Sequence, residues 1–338
     1  MRRRAFMSLL GGAAVWPLAA RAQQPTMPLI GFLHSGTPEL STATVAAFRK
    51  GLGETGFIEG RNATIEFRFA YNDYARLPEL AADLVGRRVA VIATPASTPA
   101  ALAAKATTTT IPIVFSLGAD PVEIGLIDSL NHPGGNVTGI SSMNVLLAAK
   151  RVGFLHELLP RALRFAALVN QTNPATGPLT RDIQEAGSAI GRQIEILAAN
   201  TAREIDAVFA SLVQKGADAL LVNPDPFFDG RRVQLVTLAA HRRVPTIYSF
   251  RENVEIGGLM SYGSNAAERD RQAGIYTGRV LRGEKPSSLS STCKPQGRST
   301  STFRRRCWRR PTRSLSKSAF STCILLHLLT AGVGTIQP

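Results

Sequence analysis

The sequence predicts an α/β protein built from two doubly wound parallel-sheet lobes joined by a hinge. Short apolar runs alternate with amphipathic helical stretches along most of the chain, which is the pattern of parallel sheets covered by helices. Each run is too short for a helix and suits a buried strand. The series occurs twice, and 338 residues exceed the length of one ordinary domain. This repetition indicates two lobes of similar construction.

The first series lies in residues 23–140, which we assign to an N-terminal lobe. Its first helical stretch ends at Gly56, a residue type that often caps a helix C-terminus. The predicted strands are Pro28–Leu33, Asn62–Phe69, runs around Val89 and Ile113, and Asn136–Ile140. The predicted helices are Ser41–Glu54, Asp73–Arg87 and an alanine-rich stretch after Pro99.

The second series occupies residues 141–286, which we assign to a C-terminal lobe. Its predicted strands lie near Phe165, Ile194, Leu220 and Thr246 and at Gly258–Ser261. Its predicted helices are Val145–Leu159, Pro178–Ile190, Ala202–Lys215, Arg231–Arg242 and Ala266–Arg282. In the helix over Arg231–Arg242, Val233, Val236 and Ala240 form the apolar stripe that we expect to face the sheet.

The positive charge of the chain is concentrated at its two ends. A net charge of +15 would suggest a nucleic-acid binder if it were spread over a folded surface. Residues 1–22 hold four arginines and no acid, and residues 287–338 hold nine lysines and arginines and no acid, which leaves +2 for residues 23–286. We therefore expect no nucleic-acid partner.

The N-terminus has the pattern of a secretory signal peptide over residues 1–22. Arg2–Arg4 form a charged region, an apolar run follows, and Ala20-Arg21-Ala22 is a small-x-small cleavage site. The apolar run is too short for a stable membrane anchor. The sequence predicts export to the periplasm with cleavage after Ala22. Because Arg3-Arg4 also resembles a twin-arginine signal, the export route stays open.

The chain changes character at residues 287–338, which are rich in Ser, Thr and Arg and show no hydrophobic period. One interpretation is a disordered basic tail. The other is a shifted reading frame, because a shift near Cys293 turns this stretch into a strand-like pattern of small and apolar residues. Under both interpretations we expect the tail to add no strand to the fold. All three cysteines lie in it, so the body has no disulfide framework.

Polar turns follow the apolar runs, at the sheet edge where open α/β proteins bind ligands. The clearest is Asn223-Pro224-Asp225-Pro226 after Ala219–Val222, because Pro, Asn and Asp stop a strand. The candidate ligand-binding residues are Ser35, Gly36, Ser97, Thr98, Ser116 and Asp120 in the first lobe and Asn170, Asn173, Asn223, Asp225, Arg251 and Tyr262 in the second.

These residue types suit a small charged ligand. A helix beginning at Ser97 or Thr98 would offer free N–H groups to a carboxylate. Asp120 or Asp225 would pair with an ammonium group, and Tyr262 would stack or donate a hydrogen bond. Simpler roles remain open: Ser97 fits an N-cap, and the two aspartates, each beside a proline, fit turns.

Catalytic and metal-binding patterns are missing from the sequence. The five histidines are scattered, and no Gly-x-Ser-x-Gly elbow, phosphate-binding loop or His/Cys metal spacing occurs. We therefore predict no enzyme activity, no cofactor and no metal site.

Several segments of the second series resemble a known family: Leu221–Phe228, Gly257–Gly263, Ala273–Tyr276 and Gly283–Pro286. They are similar to the periplasmic solute-binding components of ABC transporters, in the tryptophan/tyrosine-type branch. The resemblance covers about residues 1–286 and implies a type I periplasmic binding protein-like fold with one ligand between two hinged lobes. Family members continue into a strand that returns to the first lobe, so residues 287–338 depart from the family.

The resemblance also implies partners: a small-molecule ligand, such as an amino acid or a related carboxylate, and inner-membrane permease and ATPase subunits. We expect a monomer that contacts the permease directly. Two other classes stay open. A periplasmic sensor of a signalling system would differ in its neighbouring genes, and a flavodoxin-like or hydrolytic enzyme would need a catalytic group that turnover of an ester or nucleotide panel would reveal.

Overall fold

The computed structural model describes residues 27–131, 133–289, 292–293 and 302–303. The predicted signal peptide and most of the predicted tail lie outside these residues. In chain order the strands are β1 Leu29–His34, β2 Thr64–Phe69, β3 Val91–Pro95, β4 Ile113–Leu117, β5 Val137–Ser141, β6 Phe165–Val169, β7 Ile194–Ala198, β8 Ala219–Val222, β9 Thr246–Tyr248, β10 Met260–Ser261, β11 Thr292–Cys293 and β12 Thr302–Phe303.

Helices follow nearly every strand. They are α1 Thr42–Glu54, α2 Leu77–Gly86, α3 Thr98–Thr107, α4 Ala148–Leu158, α5 Thr176–Ala189, α6 Ala202–Gln214, α7 Pro226–Gly230, α8 Arg232–Arg242, α9 Arg251–Glu255 and α10 Ala266–Leu281. No helix in the part of the chain described here is long and apolar enough to cross a membrane.

The two sheets have the same strand order, which confirms the predicted fold class of two doubly wound α/β lobes. The first sheet runs β2-β1-β3-β4-β5-β11 and the second runs β7-β6-β8-β9-β10-β12. Every described pairing is parallel except that of β12 with β10. Strands such as β4 and β8 are buried along their whole length, because helices cover both faces of each sheet. The apolar runs of the sequence are these strands.

The helix α10 packs on the first sheet, although its residues were predicted within the second lobe. Its glycines make this possible: a Cβ at Gly274 would overlap the Phe48 carbonyl oxygen, and one at Gly278 would overlap the Thr55 hydroxyl, both on the α1 side. Ala273 and Val280 of α10 belong to the same buried cluster as Phe32 of β1. The chain therefore enters the second lobe after β5 and returns to the first after β10.

The beginning of the predicted tail also differs from expectation. Pro286–Ser288 forms a 3-10 turn, Leu289 is 2% exposed, and the Thr138 hydroxyl donates to the Leu289 carbonyl oxygen at 3.0 Å. β11 then extends the first sheet beside β5, and β12 extends the second beside β10. A sheet edge presents unpaired backbone groups that an extended segment can satisfy whatever its side chains. The rest of residues 287–338 lies outside the described chain.

Local differences appear around β8. The predicted stripe on α8 is wrong at two positions, since Val233 is 64% exposed and Ala240 is exposed, while Leu235, Val236 and Ala239 are buried. The short helices α7 and α9 were predicted as turns. In α7 the Asp225 side chain accepts the Phe227 N–H as an N-cap, so the proline that follows begins a helix instead of only ending a strand.

Candidate ligand-binding cleft

The carboxyl ends of the two sheets face each other across a cleft. Loops after β3 and β4 of the first lobe meet loops after β6, β8 and β9 of the second, and α10 closes one side. The cavity between these loops measures about 30 Å³, room for about two water molecules. Its lining includes Thr98, Gly118, Asn173, Asp225, Asp229, Phe250 and Arg269.

On the first-lobe side the polar groups are neutral and largely satisfied. Ser97 caps α3: its hydroxyl oxygen accepts the Ala100 N–H at 3.3 Å and donates to the Ser35 hydroxyl at 2.9 Å. The Gly36 N–H donates to Nδ1 of His34 at 2.9 Å. Burial lowers the pKa of His34 to about 4, so its imidazole is neutral at physiological pH. This wall offers hydroxyls and a helix N-terminus.

A buried ion pair from α10 stands beside that wall. The Ser116 hydroxyl donates to Oδ1 of Asp270 at 2.8 Å, and Nε of Arg269 donates to the same oxygen at 2.9 Å. Both charged residues are nearly inaccessible, at 7% exposure for Arg269 and 2% for Asp270. The guanidinium also lies 5.9 Å from the ring centroid of Phe250, in cation–π range. Arg269 thereby brings a positive charge to the cleft.

On the second-lobe side Asp225 is the centre of a hydrogen-bonded cluster. Its carboxylate accepts Nδ2 of Asn170 at 3.1 Å, Nδ2 of Asn173 at 2.7 Å and the Phe227 N–H at 2.8 Å. Burial raises the pKa of Asp225, and these donors oppose the shift. The observed contacts of this carboxylate are therefore internal, and they fix the loop after β6 against the start of α7.

Asp229, one turn further along α7, is different. It lines the cavity and is partly buried, and its carboxylate forms no hydrogen bond or close ion pair with any described residue. Burial raises its pKa to about 8, the nearby positive charge of Arg269 lowers it and the negative charge of Asp225 raises it further. Asp229 and Arg269 therefore place a carboxyl group and a guanidinium at one cavity from different lobes.

The lobes touch directly beside the cavity. Nδ2 of Asn170 also donates to the Tyr74 hydroxyl of the first lobe at 3.2 Å. Gly230 at the end of α7 lies against Leu40, close enough that a Cβ on the glycine would meet the leucine side chain at 2.8 Å. The cleft is thus closed at one end by contacts that opening must break.

The structure brings some of the predicted site residues together and not others. Thr98, Asn173 and Asp225 line the cavity, while Ser35, Gly36, Ser97, Ser116 and Asn170 form its supporting hydrogen bonds. Arg251 is exposed and pairs with Glu255 at 3.0 Å. Asp120 accepts the Val122 N–H in its own turn, at 2.8 Å.

Two further predicted residues point elsewhere. The Asn223 side chain donates to the Leu168 carbonyl oxygen at 3.1 Å, inside the second sheet. The Tyr262 ring packs on Phe154 of α4, with 4.8 Å between ring centroids, where the chain leaves β10. Neither lines the cavity.

Sequence reasoning missed Asp229, Phe250 and Arg269. One signal was available for Asp229, because it lies four residues after Asp225 and would share a helix face with it. Arg269 is brought to the cleft only by the packing of α10 on the first lobe, which no local pattern shows. Within the described part of the chain, no three His, Cys, Asp or Glu side chains are grouped to hold a metal ion.

The profile of the ABC transporter substrate-binding protein family matches residues 38–298. The tyrosine-binding protein of Clostridioides difficile (strain R20291) is 28% identical over 245 residues, which cover 72% of this chain and 70% of that protein. Both are descriptions of substrate-binding proteins, not enzymes. The family match runs past residue 287, where we had placed the departure from the family.

Solved structures agree on the fold. A conserved domain protein from Vibrio cholerae superposes with a TM-score of 0.71 at 24% identity, and an ABC domain in complex with L-Trp from Streptococcus pneumoniae with 0.69 at 24% identity. A ligand-free, open structure of a substrate-binding protein with adhesive properties from Clostridium difficile gives 0.53 at 27% identity. Each match covers 78% of this chain and 88% of the other.

Proposed function

Because this chain belongs to the ABC transporter substrate-binding protein family, we propose that it is the exported component of an importer and captures an amino acid between its lobes. Proteins of this family bind small molecules and deliver them to membrane transporter components. The finer proposal is a periplasmic monomer that contacts the permease directly. The signal-peptide pattern of residues 1–22 supports export.

One observation carries the choice of ligand: the Asp229 carboxyl group and the Arg269 guanidinium line one cavity from opposite lobes. A zwitterion has a carboxylate for the guanidinium and an ammonium group that would favour the ionised form of Asp229. Both contacts form together only when the lobes are closed. Phe250 adds an aromatic surface beside Arg269. The tyrosine-binding relative supports an aromatic amino acid.

Asp225 has a supporting role in this proposal. Its carboxylate lines the cavity, but its three hydrogen-bond donors come from the second lobe itself. We propose that Asp225 shapes the loop that faces the ligand and that Asp229 receives the ammonium group. Thr98, at the N-terminus of α3, supplies a further contact for the carboxylate.

Isothermal titration calorimetry of the mature chain tests this proposal. Tyrosine and tryptophan should bind, and analogues that lack one charge, tyramine and 4-hydroxyphenylpropionate, should bind at least about tenfold more weakly, since each lost charge-assisted bond is worth roughly 1.5–3 kcal/mol. Asp229→Asn should weaken tyrosine binding about ten- to a hundredfold. Asp182→Asn, on the surface of α5, is the matched control. Binding of neutral sugars but no amino acid would overturn the proposal.

A further inference from the structure

Arg151 is the largest side chain that the described structure buries completely, at 0% exposure. It lies on α4, the first helix of the second lobe, and no carboxylate accompanies it among its described hydrogen-bond partners. Burial lowers the pKa of Arg151 to about 9, so the guanidinium still carries its charge at neutral pH. A buried charge without a counter-ion destabilises the folded state unless hydrogen bonds compensate for the lost hydration.

The compensation comes from two of the places where the chain crosses between the lobes, those after β5 and after β10. Nε of Arg151 donates to the Tyr262 carbonyl oxygen at 2.7 Å, where the chain leaves β10. Nη2 donates to the carbonyl oxygen of Asn144 at 2.9 Å and to its side-chain oxygen at 2.6 Å, where the chain leaves β5. One planar group therefore holds both crossings in a fixed relation.

The crossings are also close to each other. The Ser264 N–H points at the Asn144 side-chain oxygen at 3.4 Å, and a Cβ at Gly263 would meet that oxygen at 2.7 Å. A side chain at residue 263 would therefore displace this segment, away from the Ser249 carbonyl oxygen that its Cβ would meet at 1.9 Å and away from Asn144. The small size of Gly263 and the hydrogen bonds of Arg151 therefore keep the two crossings close together.

The crossing after β5 is connected to the cleft. The Val145 N–H donates to the Gly118 carbonyl oxygen at 3.0 Å, and both residues line the cavity. Because Val145 follows Asn144 directly, a shift of Asn144 also moves Val145 and, through this hydrogen bond, the loop after β4. Arg151 itself touches no cavity-lining residue through its described hydrogen bonds.

We propose that Arg151 is a positioning residue that sets the angle between the lobes and thereby the affinity for ligand, without contacting it. The proposal about affinity rests on the proposed capture of a ligand between the lobes. The proposal about the angle does not, because the crossings exist whether or not a ligand binds. Removal of the guanidinium frees the crossings to move independently, and the unliganded protein should sample more open arrangements.

Small-angle scattering of the unliganded mature chain is the primary test. Arg151→Met should increase the radius of gyration, and Arg151→Lys, which keeps the charge but lacks the planar fork, should fall between Met and wild type. Arg192→Met is the matched control, since Arg192 also donates to a backbone carbonyl oxygen, that of Ala162 at 2.9 Å, but within the second lobe. If Arg151→Met does not fold, the lysine variant and Asn144→Ala carry the test.

Tyrosine titration gives the second readout. Arg151→Met should weaken binding about tenfold or more, while Arg192→Met should leave it unchanged. An unchanged radius of gyration in a folded Arg151 variant would overturn the positioning role. If wild type binds no amino acid but the radius of gyration still responds to Arg151, the proposed function fails and the hinge inference stands.

Discussion

The two lobes share one strand order but offer different chemistry to the cleft. The first lobe contributes serine hydroxyls and a helix N-terminus from its own loops, and its charges come from α10, which follows the whole second lobe in sequence. The second lobe contributes carboxylates and amides from the single stretch after β8 and from the loop after β6. The comparison teaches that the sheet order repeats while the recognition chemistry is set by a few loop and helix residues.

The buried ion pair of the first lobe should show the largest effect. Arg269→Leu leaves Asp270 charged, 2% exposed and without its guanidinium, so the free energy of unfolding should fall by about 3–5 kcal/mol. Urea denaturation measures this. Arg271→Leu, on the same helix but with both carboxylate partners, Glu268 and Glu54, partly exposed, should lose only about 0–1 kcal/mol. Equal losses of unfolding free energy in the two variants would contradict this dependence on burial of the ion pair.

The glycines at the contact between α1 and α10 should give the second-largest effect on stability. Gly274→Ala places a methyl group against the Phe48 carbonyl oxygen, which should cost about 1–3 kcal/mol through displacement of α10. Gly153→Ala on α4 of the second lobe meets no atom within 4 Å and should be neutral or stabilising by about 0.5–1 kcal/mol. Thermal melting of both variants checks the contrast. A neutral Gly274→Ala would show that α10 is loosely attached.

The hydrogen-bonded cluster around Asp225 in the second lobe should give a smaller effect on stability. Asp225→Asn turns an amide group toward the donors of Asn170 and Asn173, so stability should fall by about 1–2 kcal/mol. This differs from a residue that only meets ligand, whose replacement would leave the melting temperature unchanged. Calorimetric melting without ligand distinguishes the two roles, with Asp182→Asn as the control.

The effect of replacing Asp229 should depend on pH, unlike the effects above. Its pKa of about 8 is above the ordinary value, so its protonated form stabilises the folded state fully below about pH 4, and this contribution is lost as the pH rises through 8. Asp229→Asn imitates the protonated form at every pH. The variant should match wild type at pH 4 and be more stable than wild type at pH 9, because only wild type then carries a buried negative charge at this position. A pH-independent difference would contradict the raised pKa.

Much of the fold could be predicted because strands and long helices are local patterns. The run Ala219–Val222 is β8 with the predicted bounds, and Ala202–Lys215 differs from α6 by one residue. The short helix α7 could not be predicted, since Asn-Pro-Asp-Pro fits a turn and a helix N-terminus equally well until the capping bond is seen.

The site was less predictable because it depends on contacts between distant residues. Several of the predicted turns border the cavity, and Thr98, Asn173 and Asp225 line it. Whether a polar side chain in such a turn faces the cleft, its own backbone or the hinge depends on neighbours more than 50 residues away, as for Ser35 with Ser97 and for Asn170 with Asp225. The Tyr262 ring, which the sequence places among the cleft side chains, packs on Phe154 of α4, a contact that no local pattern shows.

The return of α10 to the first lobe affects the order of folding during synthesis. The body of the second lobe, β6–β10, is contiguous in sequence, whereas the first lobe lacks α10 and its seam with α1 until the segment around residue 281 has been made. Domains of a growing chain usually fold from the N-terminus as units. Here the N-terminal lobe cannot bury the apolar face of β1 and α1 until α10 has been made. The second lobe, which is inserted within the first, can therefore complete its core earlier.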